Sequence, residues 1–336
     1  MLARLRPDNF TLALLGTVVL ASILPARGAF AGWFEVATDI AIGLLFFLHG
    51  ARLSRATVMA GLGHWRLHLV VFASTFVLFP LLGLATHLLV PSLLTPAFYA
   101  GILFLCVLPS TVQSSIAFTS IAGGNIAAAV CSASASNIIG MFLTPLLVGL
   151  LFHIDGGSTG GGFSLEGLES IMLQLLAPFI AGQILQPWIG HWVEKHRKML
   201  SVVDRGSILM VVYLAFGAAV VSGLWHRLTP ESFAVMVVVD MALLAIVMVI
   251  TTYGSRWMGF NKADEITIVF CGSKKSLASG VPMAKVIFAG QDVGGIVLPL
   301  MLFHQIQLMV CAYIARRYAA KREEKARTNH AMVACE

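Results

Sequence analysis

Two adjacent lysines, Lys274 and Lys275, stand inside FCGSKKSLASGVPMAK, residues 270–285, a string that otherwise has the composition of the middle of a membrane-spanning helix. An uncompensated charge at a bilayer centre costs at least about 2.5–3.5 kcal/mol, so lysines kept there are expected to hold something. Ser273 and Ser276 flank the pair. A second polar interruption, PSTVQSS at 109–115, supplies Thr111, Gln113, Ser114 and Ser115. If helices restart near Ser114 and near Ser276, two positive helix ends and two ammonium groups converge, the requirements of an anion receptor. The carbonyl ends of the preceding half-helices point to the same place, and an ammonium can stand there where a metal cation otherwise would. Two ammonium groups side by side out of water repel each other. Lys275 is therefore expected to keep its charge and hold the anion, while Lys274 exchanges a proton and so couples anion binding to proton uptake.

Depth supports this placement. Ten residues separate Asp264 from Lys274, about 15 Å of helix and half the hydrocarbon thickness, too deep for a lysine to reach the interface. Asn137, His304 and Gln305 fall at similar depth in their own apolar runs and join the candidate binding set. His304 reads equally well as a hydrogen-bonded packing residue. Asp240 is the one acid well away from segment ends, able to carry a proton or to pair with a lysine. Lys285 lies close enough to a segment end to snorkel, and Ser132, Ser134 and Ser136 read as a small-residue packing surface.

The elements that must position these residues follow from composition. The chain has 336 residues, 58% hydrophobic and 11% charged, with a mean hydropathy of +0.88, far more apolar surface than a water-soluble domain of this size can hide. Ten segments are long enough to span a bilayer: 10–26, 33–50, 67–90, 96–121, 125–152, 168–187, 207–225, 232–254, 264–290 and 293–315. The first reads as an uncleaved span rather than a signal peptide, because nine more apolar segments follow it. With the N-terminus inside, 17 of the 22 Lys and Arg residues fall on the cytoplasmic face and two, Arg27 and Arg227, outside. Both termini are then cytoplasmic. The net charge of +6 reports topology and gives no reason to invoke nucleic acid; the basic tail 318–336 reads as an anchor on the lipid bilayer surface.

The expected fold class is an all-α membrane protein with a single transporter domain. It comprises one repeat over about 10–152 and a second over about 168–317, five spans each and therefore inverted, with the interrupted spans fourth in each half and meeting at the midplane. The five cysteines show neither paired nor metal-ligand spacing, and no metal or cofactor is expected.

With these residues in view, the chain resembles the bile acid/sodium symporter superfamily (solute carrier family 10) over about residues 10–317. The strings KADEITIVFCGSKKSLASGVPMAKVIFAG, LPLMLFHQIQLM and GGNIAAAVCSASAS are similar to its symporter-like branch, which contains bacterial YfeH-type proteins and vertebrate family 10 member 7. The resemblance implies a panel of spans 1, 2, 6 and 7 rocking against a core of spans 3–5 and 8–10, with the site where spans four and nine cross. Sodium-coupled members resemble E-x-G-x-Q-N-S at the ninth-span break; aligned on Gly272, Phe270 stands in place of the acid and Lys274 and Lys275 in place of the amides. The family's Ser-Asn pair falls at Ser114 and Ser115. A site that has lost an anionic ligand and gained two positive charges is expected to repel Na⁺, leaving H⁺ or Na⁺ open as the coupling ion.

The expected activity is secondary-active transport of a small organic anion by alternating access in a bacterial inner membrane. The alternative is a regulatory or scaffold membrane protein that does not transport, in line with the calcium handling and secretory traffic that the vertebrate relatives imply. A hydrolase built on the Ser–Lys pairs of SKKS is disfavoured, since sequence neighbours seldom take dyad geometry and no oxyanion loop is evident.

Overall fold

The computed structural model describes residues 9–52, 64–89, 93–154, 165–223 and 228–333. All regular structure among them is helical. In chain order the helices are α1 (Asn9–Ile23), α2 (Gly28–Ala51), α3 (Trp65–Leu89), α4 (Pro96–Val107), α5 (Gln113–Ala122) and α6 (Ile126–Ile154), then α7 (Leu165–Lys195), α8 (Arg197–Val221), α9 (Pro230–Trp257), α10 (Lys262–Gly272), α11 (Leu277–Ile287) and α12 (Val293–Val333). Six of them, α2, α3, α6, α8, α9 and α12, are long and apolar enough to cross a membrane by length and composition. Large apolar side chains such as Trp33, Ile40, Val238 and Trp257 lie on the outer surface, which suits a lipid environment and not water. The expected basic tail is continuous with α12, which runs unbroken from Val293 to Val333.

Helix ends follow local chemistry. Thr95 and Thr229 cap the starts of α4 and α9, each followed by proline at the first helical position, and Asn261 caps α10 through Asp264 N–H. Gly123, at φ +79°, closes α5 in the left-handed conformation that glycine adopts without steric cost. Packing divides the helices into two groups. In one, α1, α2, α7 and α8 lie together; α2 and α7 approach so closely at Gly50 and Gly182 that a Cβ on either would overlap the other's backbone at 2.0 Å. In the other, α3–α6 pack with α9–α12, and the groups meet where α7 and α8 touch α11, where α8 touches α12, and where α6 touches α7.

Within the second group the chain twice loses its helix, at 108–112 between α4 and α5 and at 273–276 between α10 and α11. The two breaks face each other: Ser110 Oγ donates to Cys271 O at 2.6 Å, Ser115 Oγ to Phe270 O at 3.1 Å, and Ser276 N–H to Pro109 O at 2.8 Å. The far end of α10 is anchored separately, since Glu265 accepts from Arg256, Lys262 and Tyr318 while Asp264 accepts from Asn125.

Candidate functional site: a buried lysine pair between two helix breaks

The site begins with carbonyl groups that the helices cannot satisfy. In α3 a π-turn at Ser74–Leu78 sends Phe79 N–H to Ser74 O, and the next residue, Pro80, has no N–H, so Thr75 O is left without a helical donor. In α4 the helix stops at Val107, one residue before Leu108-Pro109, and Ser110 N–H turns to Ser136 Oγ at 3.0 Å. Cys106 O thereby loses its helical donor, and Leu108 O is left facing the gap. All three carbonyls are taken by one cation: Lys275 Nζ donates to Thr75 O at 2.8 Å, Cys106 O at 2.7 Å and Leu108 O at 2.8 Å. An ammonium has three hydrogens, so this group is saturated. The Phe79 ring also lies against this nitrogen, 4.2 Å from its centroid.

Lys274 has the opposite environment. It too is completely buried, but its Nζ has no hydrogen-bond partner. It sits 4.1 Å from the centre of the Phe118 ring and 5.4 Å from that of Phe270. The two neighbours in sequence therefore point to different places, Lys275 into the carbonyl cluster of α3 and α4, Lys274 between aromatic faces of α5 and α10.

The remaining candidates divide into those that frame this pair and those that lie apart. Asn137 joins the two breaks, donating to Ser110 O at 2.7 Å and Ala133 O at 3.0 Å while its Oδ1 accepts from Ser279 Oγ at 2.8 Å. Ser276 caps α11 through Ser279 N–H, and Ser273 Oγ returns to Val269 O. Thr111 shares hydrogen bonds with Ser114 at 2.7 Å and Ser115 at 3.0 Å. His304 meets the site through Gln307, whose Nε2 is 2.9 Å from His304 Nδ1. Gln305 is turned toward α1, where Thr11 Oγ1 lies 3.3 Å from its Oε1, and Gln113 is exposed. Lys285 does not simply snorkel: it forms ion pairs with Asp39 and, at 3.8 Å, Glu35 of α2.

Several residues at the site have no counterpart among those expected. Gln307 clamps the second break through both backbone groups of Lys275, accepting from its N–H and donating to its carbonyl, each at 2.9 Å. It lies one helical turn beyond His304 and so shares its face, a spacing visible in HQIQ. Thr75 contributes through its carbonyl, and Ser74 and Ser110 through hydroxyls that donate to Gly272 O and Cys271 O.

The SBF-like CPA transporter family matches residues 8–320 of the chain. The protein belongs to this family. It is 60% identical over 323 residues to PA2026 of Pseudomonas aeruginosa, a protein named as uncharacterised, covering 96% of each chain. It is 57% identical over 317 residues to YfeH of Escherichia coli, a candidate symporter by name, covering 94% of each. It is 30% identical over 323 residues to sodium/bile acid cotransporter 7-B of Xenopus laevis, covering 92% of this chain and 91% of that one. Membership makes the chain a multi-pass membrane protein of a transporter family.

Proposed function

We propose that the protein is a secondary-active transporter of a small organic anion, working by alternating access without sodium. The observation that carries this reading is the clasp of three carbonyls around Lys275 Nζ. Carbonyls exposed by broken helices are the ligands that hold a coupling Na⁺ in inverted-repeat carriers; here an ammonium fixed to the chain occupies them permanently. With its hydrogens committed, Lys275 supplies charge but no free donor. The anion falls to Lys274, whose side-chain nitrogen is buried, aromatic-flanked and without a hydrogen-bond partner. Its flanking rings suit a substrate that carries an apolar body behind its sulfate or carboxylate.

In this reading the helices form ten spans in two inverted halves, with both termini cytoplasmic in a bacterial inner membrane. The group α1, α2, α7 and α8 rocks against the rest, and α4–α5 and α10–α11 cross at mid-membrane. Support comes from the facing breaks, from the two packing groups and from the distribution of Lys and Arg along the chain.

The test is thermal unfolding of the purified protein with phenyl sulfate, benzoate or cholate. An anion present at about 100 times its dissociation constant stabilises by about 2.7 kcal/mol, and Lys274→Gln removes that response. A wild type that none of these anions stabilises, and that moves none of them into liposomes, favours the scaffold role instead.

A further inference from the structure

One ionisable group in the membrane interior is unused by this mechanism. Asp240 lies ten residues into α9 from Pro230, about 15 Å along the helix. It shares its face with Met236, Leu243, Leu244 and Val247, all buried, and is itself completely buried. Neither carboxyl oxygen has a hydrogen-bond partner. An ionised carboxylate with no donor and no cation around it cannot be kept in such a place, whereas a protonated one can.

The groups around it support that reading. From α4 the titratable group is Cys106, which is buried and whose carbonyl holds the Lys275 ammonium. On α3 the Thr75 carbonyl is held by Lys275. On α12, His304 is engaged by Gln307, and Cys311 is buried. On α10, Glu265 is taken by Arg256 and Lys262. None of these reaches a carboxyl oxygen of Asp240. Asp240 is thus a carboxyl without a hydrogen-bonding cation or donor.

We propose that Asp240 is a proton-binding site: its carboxyl holds a proton in this conformation and releases it to water when water gains access to it. The O–H bond of the acid breaks, water takes the proton, and the negative charge remains on Asp240. Proton release turns a buried neutral acid into a buried charge. Use of this switch to drive an anion rests on the transporter reading above. The protonated state does not.

Infrared difference spectroscopy of the protein in lipid bilayers tests it. The wild type is expected to show a carboxylic C=O band at neutral pH that is absent from Asp240→Asn, retained at a shifted position in Asp240→Glu, and lost as the pH is raised further. Spectra of wild type and Asp240→Asn that superimpose throughout overturn the proposal. So does a band that never responds to pH, since such a carboxyl is a fixed neutral filler. Phenyl sulfate then separates the two readings: a titrating band without any anion response keeps the proton site and sinks the transporter, while an anion response with superimposable spectra does the reverse.

Discussion

The ammonium of Lys275 lies 2.8 Å from the carbonyl oxygen of Thr75, a residue 200 positions earlier in the chain. The contact exists because Pro80 withholds the N–H that a π-turn would have offered that carbonyl. Two further carbonyls, from Cys106 and Leu108, complete the clasp. Three helical elements, α3, α4 and the α10–α11 break, are therefore tied to one side chain.

Removing this charge should destabilise the protein. Lys275→Met leaves three buried carbonyls without a donor, and breaking a buried charged network by deleting one partner costs about 3–5 kcal/mol. Chemical denaturation in detergent measures it; a loss below about 1 kcal/mol means the carbonyls find other donors and the clasp is incidental.

The neighbouring substitution should act in the opposite direction. Lys274 Nζ is buried with only aromatic faces beside it, so Lys274→Met removes an uncompensated polar group and is expected to raise stability by about 1–3 kcal/mol while abolishing the anion response. Stability and binding then move apart. Equal destabilisation by both lysine variants contradicts the division of roles.

Asn137 serves both breaks with one amide. Asn137→Ala leaves the Ser110 carbonyl and the Ser279 hydroxyl short of a partner and is expected to cost about 2–3 kcal/mol. Gln113→Ala, at an exposed position of the same broken span, stays within about 0.5 kcal/mol of wild type. Melting curves of the two variants, compared side by side, check both values.

Lys285 joins the two packing groups through Asp39 and Glu35, acids of α2 that are 61% and 60% exposed. A double-mutant cycle of Lys285→Ala and Asp39→Ala should give a coupling of about 0.5–1 kcal/mol, the range for a partly exposed pair, and the charge swap Asp39→Lys with Lys285→Asp should restore most of it. No measurable coupling means that the contact does not hold the groups together.

The sequence made the breaks legible because proline, serine and lysine inside an apolar run contradict their surroundings, and it located Lys274, Lys275 and Asn137 by rise per residue alone. The partners of the lysines were hidden for a physical reason. Backbone carbonyls belong to every residue, and which of them are free depends on a π-turn and a helix stop that are set by tertiary packing. Gln305 and Gln307 are equally deep in the sequence, yet a helix turns about 100° per residue, so only Gln307 shares the face of His304 while Gln305 meets Thr11. Lys285 read as a snorkelling side chain because its acids lie some 250 residues away in α2. Asp240 read as a partner for a lysine or a proton carrier, and neither of its carboxyl oxygens has a hydrogen-bond partner.

The most direct measurement of the central claim compares melting temperatures as NaCl is exchanged for KCl or choline chloride at constant ionic strength, in the wild type and in Lys275→Gln. If the Lys275 ammonium occupies the place of a coupling sodium, the wild type melts at the same temperature in all three salts, and Lys275→Gln, with Thr75, Cys106 and Leu108 carbonyls released, gains a stabilisation specific to Na⁺. A wild type that is stabilised steeply by Na⁺ over K⁺ and choline, unchanged in Lys275→Gln, contradicts the account.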